Sequence, residues 1–175
     1  YPKKLKIGIF DSGLGGLTVF KSLAIKYRDS ASFIYLGDLA HLPYGDKSKK
    51  SIIQYSQRIV DFFLTKKIDI IIVACNSASS VALEYLETNG IPIIGTIKPS
   101  ILSVIRKGDI KSIGIIGTDT TINSKAYNRS FANLKDFFSS HLQIHSVACP
   151  LFVPIVEEGW ENTDIAHQIA IKYFS

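Results

Sequence analysis

The sequence has few cysteines and no long apolar run, which argues against a disulfide-rich secreted domain and against a membrane-spanning protein. Two cysteines among 175 residues do not form the disulfide framework of a small secreted domain. No apolar run approaches the roughly 20 residues that a membrane-spanning helix needs. Residues 1–4 lead straight into a strand pattern, without the apolar segment of a signal peptide. We therefore expect a cytoplasmic protein without a membrane partner.

Motifs for metal ions and nucleotides are also missing. Neither Cys75 nor Cys149 has a cysteine or histidine nearby at metal-ligand spacing. His141 and His145 stand four residues apart, but no strong helical pattern supports them as a zinc pair, and surface histidines are the better interpretation. The glycines of residues 13–16 fit neither the dinucleotide fingerprint nor the phosphate-binding loop. The sequence thus predicts no metal site, and a nucleotide site is a minority interpretation.

Basic residues outnumber acidic ones, with 20 Lys and Arg against 15 Asp and Glu and a formal net charge of +5. Lysines cluster in residues 47–50 and 66–67, at the two ends of a helix with an apolar stripe. They could form a polyanion-binding patch or simply a solvated helix surface. No basic run is interleaved with aromatic residues, as nucleic-acid binding would favour. We favour the solvated surface and expect no nucleic-acid partner.

The stretch of residues 68–80 organises the chain. Residues 69–74 are almost entirely Ile, Val and Ala, a pattern typical of a parallel strand buried on both faces. Cys75, Asn76 and Ser77 follow directly, and a helical pattern begins at about Ala78. A helix N-terminus offers free N–H groups and a positive dipole end, which favour a thiolate. A buried residue with a capping role is the alternative interpretation of Cys75.

Strand and helix patterns alternate about six times, which predicts an α/β fold with parallel sheets. The strands are predicted at residues 5–10, 32–36, 69–74, 91–95, 112–116 and 143–148. The helices are predicted at residues 17–27, 48–66, 78–88 (stopped by Asn89 and Gly90), 99–107, from 121 to about 132, and 162–174. The domain boundary is predicted near residues 96–99. A first domain of residues 1–97 would carry Cys75, and a second domain would span residues 98–175.

Polar side chains stand where several of these strands end: Asp11, Ser12, Asp38, Cys75, Asn76, Ser77, Thr118 and Cys149. Carboxyl ends of parallel strands face one side of a sheet, where α/β proteins bind ligands. Asp11 has two structural interpretations, a helix cap and a turn former. Its functional interpretation is a base or an ammonium-binding carboxylate.

Five segments of the sequence together resemble the glutamate racemases, in the order of that family. They are residues 9–16 (IFDSGLGG), 35–38 with 43–45 (YLGD, PYG), 73–78 (VACNSA), 117–127 (GTDTTINSKAY) and 149–154 (CPLFVP). The resemblance implies two flavodoxin-like domains with the active site between them. It implies interconversion of L- and D-glutamate without a cofactor, for bacterial peptidoglycan, by two cysteines that transfer protons. A homodimer is one arrangement that the family suggests.

The resemblance also assigns roles to residues. The first proton-transferring cysteine corresponds to Cys75, assisted by Asp11. The implied substrate-binding residues are Asp11, Ser12, Pro43, Tyr44, Gly45, Asn76, Ser77, Thr118 and Thr121. A thiolate with a lowered pKa, held in a dry cleft, could remove the weakly acidic α-proton of an amino acid. Asn76 and Ser77 could then hold the substrate carboxylate.

The sequence departs from the family pattern in two respects. The Gly-Cys-Thr-His-Tyr-Pro motif with the second catalytic cysteine does not occur among these residues. We therefore expect the second domain to be incomplete and the 175-residue chain to be inactive, with Cys149 as a buried cysteine. Lys98 stands where the family usually has Glu. The alternatives are a related aspartate or hydantoin racemase, or a decarboxylase, and a non-catalytic binding or inhibitory protein.

Overall fold

The computed structural model describes residues 4–108, 110–134 and 142–175. It has an α/β fold, in agreement with the predicted class, and its strands form two parallel sheets. The first sheet has the order β2-β1-β3-β4 and the second pairs β5 with β6. The strands are β1 Leu5–Asp11, β2 Ala31–Gly37, β3 Ile70–Val73, β4 Ile93–Gly95, β5 Ser112–Gly117 and β6 Gln143–Ala148.

Helices follow most strands, as the alternating pattern predicts. They are α1 Leu17–Lys26, α2 Lys49–Thr65, α3 Asn76–Val81, α4 Ile97–Ile105, α5 Asp119–Asn123, α6 Ala126–Asn133, α7 Phe152–Glu157 and α8 Asp164–Phe174. Two short 3₁₀ turns, Tyr44–Asp46 and Leu83–Tyr85, complete the described elements. Within the described ranges, no helix is both long and apolar enough to cross a bilayer.

The first sheet is covered on both faces, which explains the apolar run of β3. Ile71 and Val73 belong to a core cluster with side chains of α2 and α3. Ile7 and Ile9 of β1 point to the other face, where side chains of α1 cover them. Burying the sheet from both sides removes apolar surface from water on each face, the main favourable contribution to folding. The prediction of a doubly buried strand is confirmed.

Helix α2 supplies most of the cover on one face. Ser48 caps it, because the Ser48 hydroxyl accepts a hydrogen bond from the Ser51 N–H at 3.1 Å. Ile52 and Phe63 are fully buried against the sheet. The neighbouring Phe62 is 39% exposed. Consecutive helical residues point about 100° apart, so Phe62 and Phe63 cannot both face the core.

Three sequence predictions about helices are wrong. The helix after Cys75 begins at Asn76 and ends at Val81, far short of Asn89. Asn89 and Gly90 instead adopt positive φ angles of 50° and 84° in the turn before β4. The helix predicted to reach residue 132 breaks at Lys125, whose φ is 53°, and helix α7 was not predicted at all. The serines of α3 bond backbone carbonyls, Ser79 that of Val73 and Ser80 that of Ser77, and serine is not a favoured residue inside a helix.

The second sheet has its own core. Ile97 and Ile101 of α4 pack with Ile115 of β5 and with Phe131 of α6. Helix α4 therefore follows the first sheet in the chain but packs with the second. The predicted division into residues 1–97 and 98–175 stays a prediction.

The bend between β1 and α1 generates a stability prediction. A Cβ atom on Gly16 would lie 2.6 Å from the Asp11 Cβ and 2.9 Å from the Ala74 Cβ, so the backbone must shift to admit it. We expect Gly16→Ala to lower the free energy of unfolding by about 1–3 kcal/mol, the usual cost of overpacking. Urea unfolding followed by circular dichroism measures this change.

Gly15→Ala is the matched control, because the nearest atom to a Cβ at Gly15 is an Asp11 oxygen at 3.8 Å. It should leave the midpoint of unfolding nearly unchanged. Equal midpoints for the two variants would contradict the packing argument.

Candidate active site

The two central strands of the first sheet bring Asp11, Ser12 and Cys75 together. β1 and β3 are neighbours, with Phe10 paired with Val73 in register. The residues that follow these two positions therefore meet at one edge of the sheet. The Cys75 thiol donates a hydrogen bond to the Ser12 hydroxyl at 3.6 Å. Residues 63 positions apart in the sequence thus form one contact at the carboxyl ends of the strands.

Cys75 is the N-terminal cap of α3. Its sulfur accepts a hydrogen bond from the Ala78 N–H at 3.4 Å, and its side chain is 5% exposed. Burial raises the pKa of the thiol, and the negative charge of Asp11 raises it further. The hydrogen bonds with Ala78 and Ser12 act in the opposite direction but do not reverse the shift of the pKa. The expectation of a lowered pKa is therefore wrong for the unliganded chain.

Asp11 holds the loop that joins β1 to α1. Its Oδ2 atom accepts hydrogen bonds from the Gly13 N–H at 3.2 Å and the Gly16 N–H at 2.9 Å. The residue is 7% exposed. This is the turn-forming role that the sequence allowed. The same carboxylate adds a buried negative charge close to Cys75, so a cation at this edge of the sheet would be favoured.

The loop with Pro43, Tyr44 and Gly45 lies against the same region. Tyr44 is fully buried, and its hydroxyl donates to Asp38 at 2.6 Å. Asp38 also interacts with His41 Nδ1 at 2.8 Å. Burial, followed by the hydrogen bond to Asp38, raises the pKa of Tyr44 well above its usual range. The Tyr44 hydroxyl thus has a protein partner. The backbone of this loop contacts the segment after β5, because the Gly45 carbonyl accepts a hydrogen bond from the Thr120 hydroxyl at 2.9 Å.

Thr118 connects this loop and α3 to the second sheet. The hydroxyls of Thr118 and Ser77 share a hydrogen bond of 2.8 Å. The Thr118 hydroxyl also donates to Thr121 at 3.1 Å. Gly45 packs so closely that a Cβ there would lie 2.6 Å from the Thr118 Cβ. The structure therefore brings the predicted residues Gly45, Ser77, Thr118 and Thr121 together across the two sheets.

Asn76 has its amide oxygen occupied by two hydroxyl groups. Tyr127 donates to Asn76 Oδ1 at 2.7 Å, and Thr96 donates to the same atom at 2.9 Å. Asn76 itself is exposed. Neither Tyr127 nor Thr96 was a predicted site residue, although Tyr127 stands in one of the segments that resemble a known family.

Two further groups beside Asp11 were missed. Glu157 of α7 accepts a hydrogen bond from the Leu14 N–H at 3.2 Å. Tyr35 donates to the Gly13 carbonyl at 2.9 Å, and its pKa is raised by burial first and then by the charges of Asp11, Glu157 and Cys75. The apolar and aromatic composition of β2 predicted a strand but gave no sign that Tyr35 reaches the loop. Glu157 lies on a helix that the sequence did not predict.

The backbone N–H of Cys149 donates to the Gly117 carbonyl at 2.8 Å, next to Thr118, but its thiol has a different partner. Cys149 follows β6, is 2% exposed, and its thiol contacts the Val147 carbonyl at 3.7 Å. Burial raises the pKa of its thiol. In the described part of the chain, Cys149 has no hydrogen bond to any predicted site residue. These contacts are those of a packed cysteine.

A cavity of about 990 Å³ lies elsewhere, between α3, α4 and α6. Its lining includes Lys49, Lys98 and Arg129 but none of the predicted site residues. Lys98, the departure from the family pattern, therefore faces this cavity rather than Cys75.

Among the residues that the structure describes, no three His, Cys, Asp or Glu side chains form a group able to hold a metal ion. His141 lies outside the described residues.

Comparisons with known proteins identify the relatives of this chain. Residues 13–167 match the family model described as Asp/Glu/Hydantoin racemase. The glutamate racemase of Hydrogenobaculum sp. (strain Y04AAS1) is 44% identical over 171 residues, which are 97% of this chain and 63% of that protein. The glutamate racemase of Persephonella marina is 46% identical over 97% of this chain and 63% of its own length. The chain thus spans about 63% of the length of these curated relatives.

Solved structures agree with this grouping. The glutamate racemase of Campylobacter jejuni superposes with a TM-score of 0.88 at 38% identity, over 98% of this chain and 67% of that one. The glutamate racemase of Francisella tularensis, solved in complex with D-glutamate, superposes with a TM-score of 0.87 at 32% identity, over 97% of this chain and 62% of that one.

The charge of Asp11 generates a prediction about the Cys75 thiol. Because Asp11 raises the pKa of Cys75, neutralising it in Asp11→Asn should lower that pKa and increase the thiolate fraction at a given pH. The asparagine oxygen can still accept the loop hydrogen bonds. We expect iodoacetamide to alkylate Cys75 faster in the variant at pH 8, measured by mass spectrometry of the native protein.

Cys149 provides the internal control, because burial alone raises its pKa. Its rate of alkylation should be the same in both proteins, and slower than that of Cys75. An unchanged rate at Cys75, or an equal increase at both thiols, would contradict the electrostatic argument.

Proposed function

Because the chain belongs to the Asp/Glu/hydantoin racemase family, we propose that it forms the part of a glutamate racemase that carries the first proton-transferring thiol. The observation that carries this proposal is the position of Cys75. Its thiol lies at the carboxyl edge of a parallel sheet, beside Ser12 and within the field of Asp11. The glutamate racemase names of the relatives support glutamate over aspartate as the substrate.

The proposed binding mode follows from the charges of the site. The ammonium group of glutamate lies beside Asp11, and one carboxylate receives hydrogen bonds from Asn76 and Ser77. A positive ammonium group beside Asp11 offsets the negative charge that raises the pKa of Cys75. Substrate binding therefore favours the thiolate that the unliganded site disfavours. The thiolate fraction of Cys75 therefore rises when substrate binds.

The proposed reaction is a proton exchange at the α-carbon. The Cys75 thiolate removes the α-proton from one face and becomes a thiol, and the electron pair of the C–H bond moves toward the substrate carboxylate. Hydrogen bonds from Asn76 and Ser77 stabilise the negative charge that develops there. A second acid then returns a proton from the opposite face, which inverts the centre. Side chains carry both protons, so the proposed reaction uses no cofactor.

The second acid is not Cys149 in this proposal. Two-base racemisation needs one thiol on each face of the α-carbon, close to the path of the proton. Cys149 is a buried thiol whose side chain contacts the carbonyl of Val147 in its own segment. We further propose, from the family, that the product supplies D-glutamate for bacterial peptidoglycan in the cytoplasm. A homodimeric assembly belongs to the same proposal.

This proposal predicts binding without turnover for the 175-residue chain. We expect D- and L-glutamate to bind, as measured by calorimetry, and Asn76→Ala to weaken binding about tenfold or more, since hydrogen bonds to charged groups are the strong ones. We expect no change in the circular dichroism of either enantiomer on incubation. The Campylobacter jejuni enzyme provides the positive control for the assay.

Cys149→Ala separates the alternatives. Turnover by the 175-residue chain that disappears in this variant would make Cys149 the second base and overturn that part of the proposal. Absence of glutamate binding would overturn the assignment of the substrate and favour a non-catalytic protein.

A further inference from the structure

The hydrogen bonds of Asn76 determine which way its amide faces. An asparagine side chain has one oxygen with two acceptor positions and one NH2 group with two donors. Tyr127 and Thr96 occupy the oxygen at 2.7 Å and 2.9 Å. Over residues 4–108, 110–134 and 142–175, no group accepts a hydrogen bond from the Asn76 NH2. The exposed amide therefore presents two unused donors and no unused acceptor.

We propose that Tyr127 and Thr96 are positioning residues, which hold the Asn76 amide oxygen and thereby present the Asn76 NH2 group to a carboxylate of the substrate. This inference rests on the proposed function for the identity of the carboxylate. The opposite orientation would turn the amide oxygen toward the substrate. An oxygen there would repel a carboxylate, whereas an NH2 group donates to it.

The chemistry of Tyr127 favours the observed orientation. Burial raises the pKa of Tyr127 despite hydrogen bonds with Ser100 and Thr96, which lower it. The phenol therefore keeps its proton at neutral pH, and that proton needs an acceptor. The Asn76 oxygen is the acceptor at 2.7 Å. Rotating the amide would place an NH2 group against the phenol oxygen, which could accept from it, but the phenol proton would then need a different acceptor.

The two positioning residues come from different parts of the fold. Thr96 follows β4 of the first sheet, and Tyr127 lies on α6, in the core of the second. Asn76 is the first residue of α3, directly after Cys75. The direction of one substrate-binding donor thus depends on how α6 sits against α3. A shift between these helices would release the amide without moving Cys75.

Nuclear magnetic resonance tests whether Tyr127 and Thr96 hold the amide, without any ligand. The Asn76 side-chain NH2 signal is assigned by its loss in Asn76→Ala, and 15N relaxation gives its order parameter. We expect the order parameter to fall in Tyr127→Phe and in Thr96→Val. Tyr85→Phe and Thr65→Val are matched controls, because the Tyr85 and Thr65 hydroxyls bond Lys49 and Phe62 rather than Asn76. Unchanged order in both test variants, or an equal fall in the controls, would overturn the proposal.

Binding of D-glutamate supplies the second readout. Tyr127→Phe should raise the dissociation constant about 2- to 10-fold, the range for one neutral hydrogen bond. The same change made in Asn76→Ala should have no further effect, because Tyr127 acts only through the amide. An equal loss in both backgrounds would mean that Tyr127 acts directly, contrary to the proposal. If the unmodified chain does not bind glutamate, the proposed function fails, and the relaxation result still decides whether Tyr127 and Thr96 hold the amide.

Discussion

The burial of a thiol beside a carboxylate is the interaction on which the site depends. Burial raises the pKa of the Cys75 thiol, and the nearby Asp11 carboxylate raises it further. The β1–β3 pairing forces them together, because the two strands end at the same edge. Asp11 stays fixed through two backbone N–H groups of its own loop. The carboxylate therefore keeps a fixed position beside the thiol whose pKa it raises.

The second constraint is the contact between the two sheets. Thr118, at the start of α5, contacts both Ser77 of α3 and Gly45 of the loop that contains Tyr44. The positions of α3 and of this loop therefore both depend on Thr118. Asn76 adds an independent connection through Tyr127. The hydroxyl and amide groups that surround Cys75 therefore take their positions from both sheets, whereas the thiol itself belongs to the first.

The sequence predicted helices and strands best where a local pattern of apolar residues coincides with burial. The apolar run of β3 and the stripe of α2 identify these elements because each buries a face against the first sheet. Thr118 and Ser77 could be named from a family resemblance, but their contact is a tertiary one. Glu157 and Tyr35 could not be predicted, since their partners lie far away in the sequence. The pKa shift of Cys75 was predicted in the wrong direction, because the prediction used only a local feature, the helix N-terminus that follows the thiol. The charge of Asp11 and the burial of the thiol act through space.

The hydrogen bond between Leu14 and Glu157 has a consequence for biosynthesis. The two residues are 143 positions apart, yet Glu157 supports the loop that follows the first strand. At about 5–20 residues per second, a ribosome needs on the order of ten seconds to add the intervening chain. All four strands of the first sheet have been synthesised by Gly95, well before Glu157 emerges. Until Glu157 is added, the contacts available to the Asp11 loop are those of Asp11 and of the Tyr35 hydroxyl, without the one from α7.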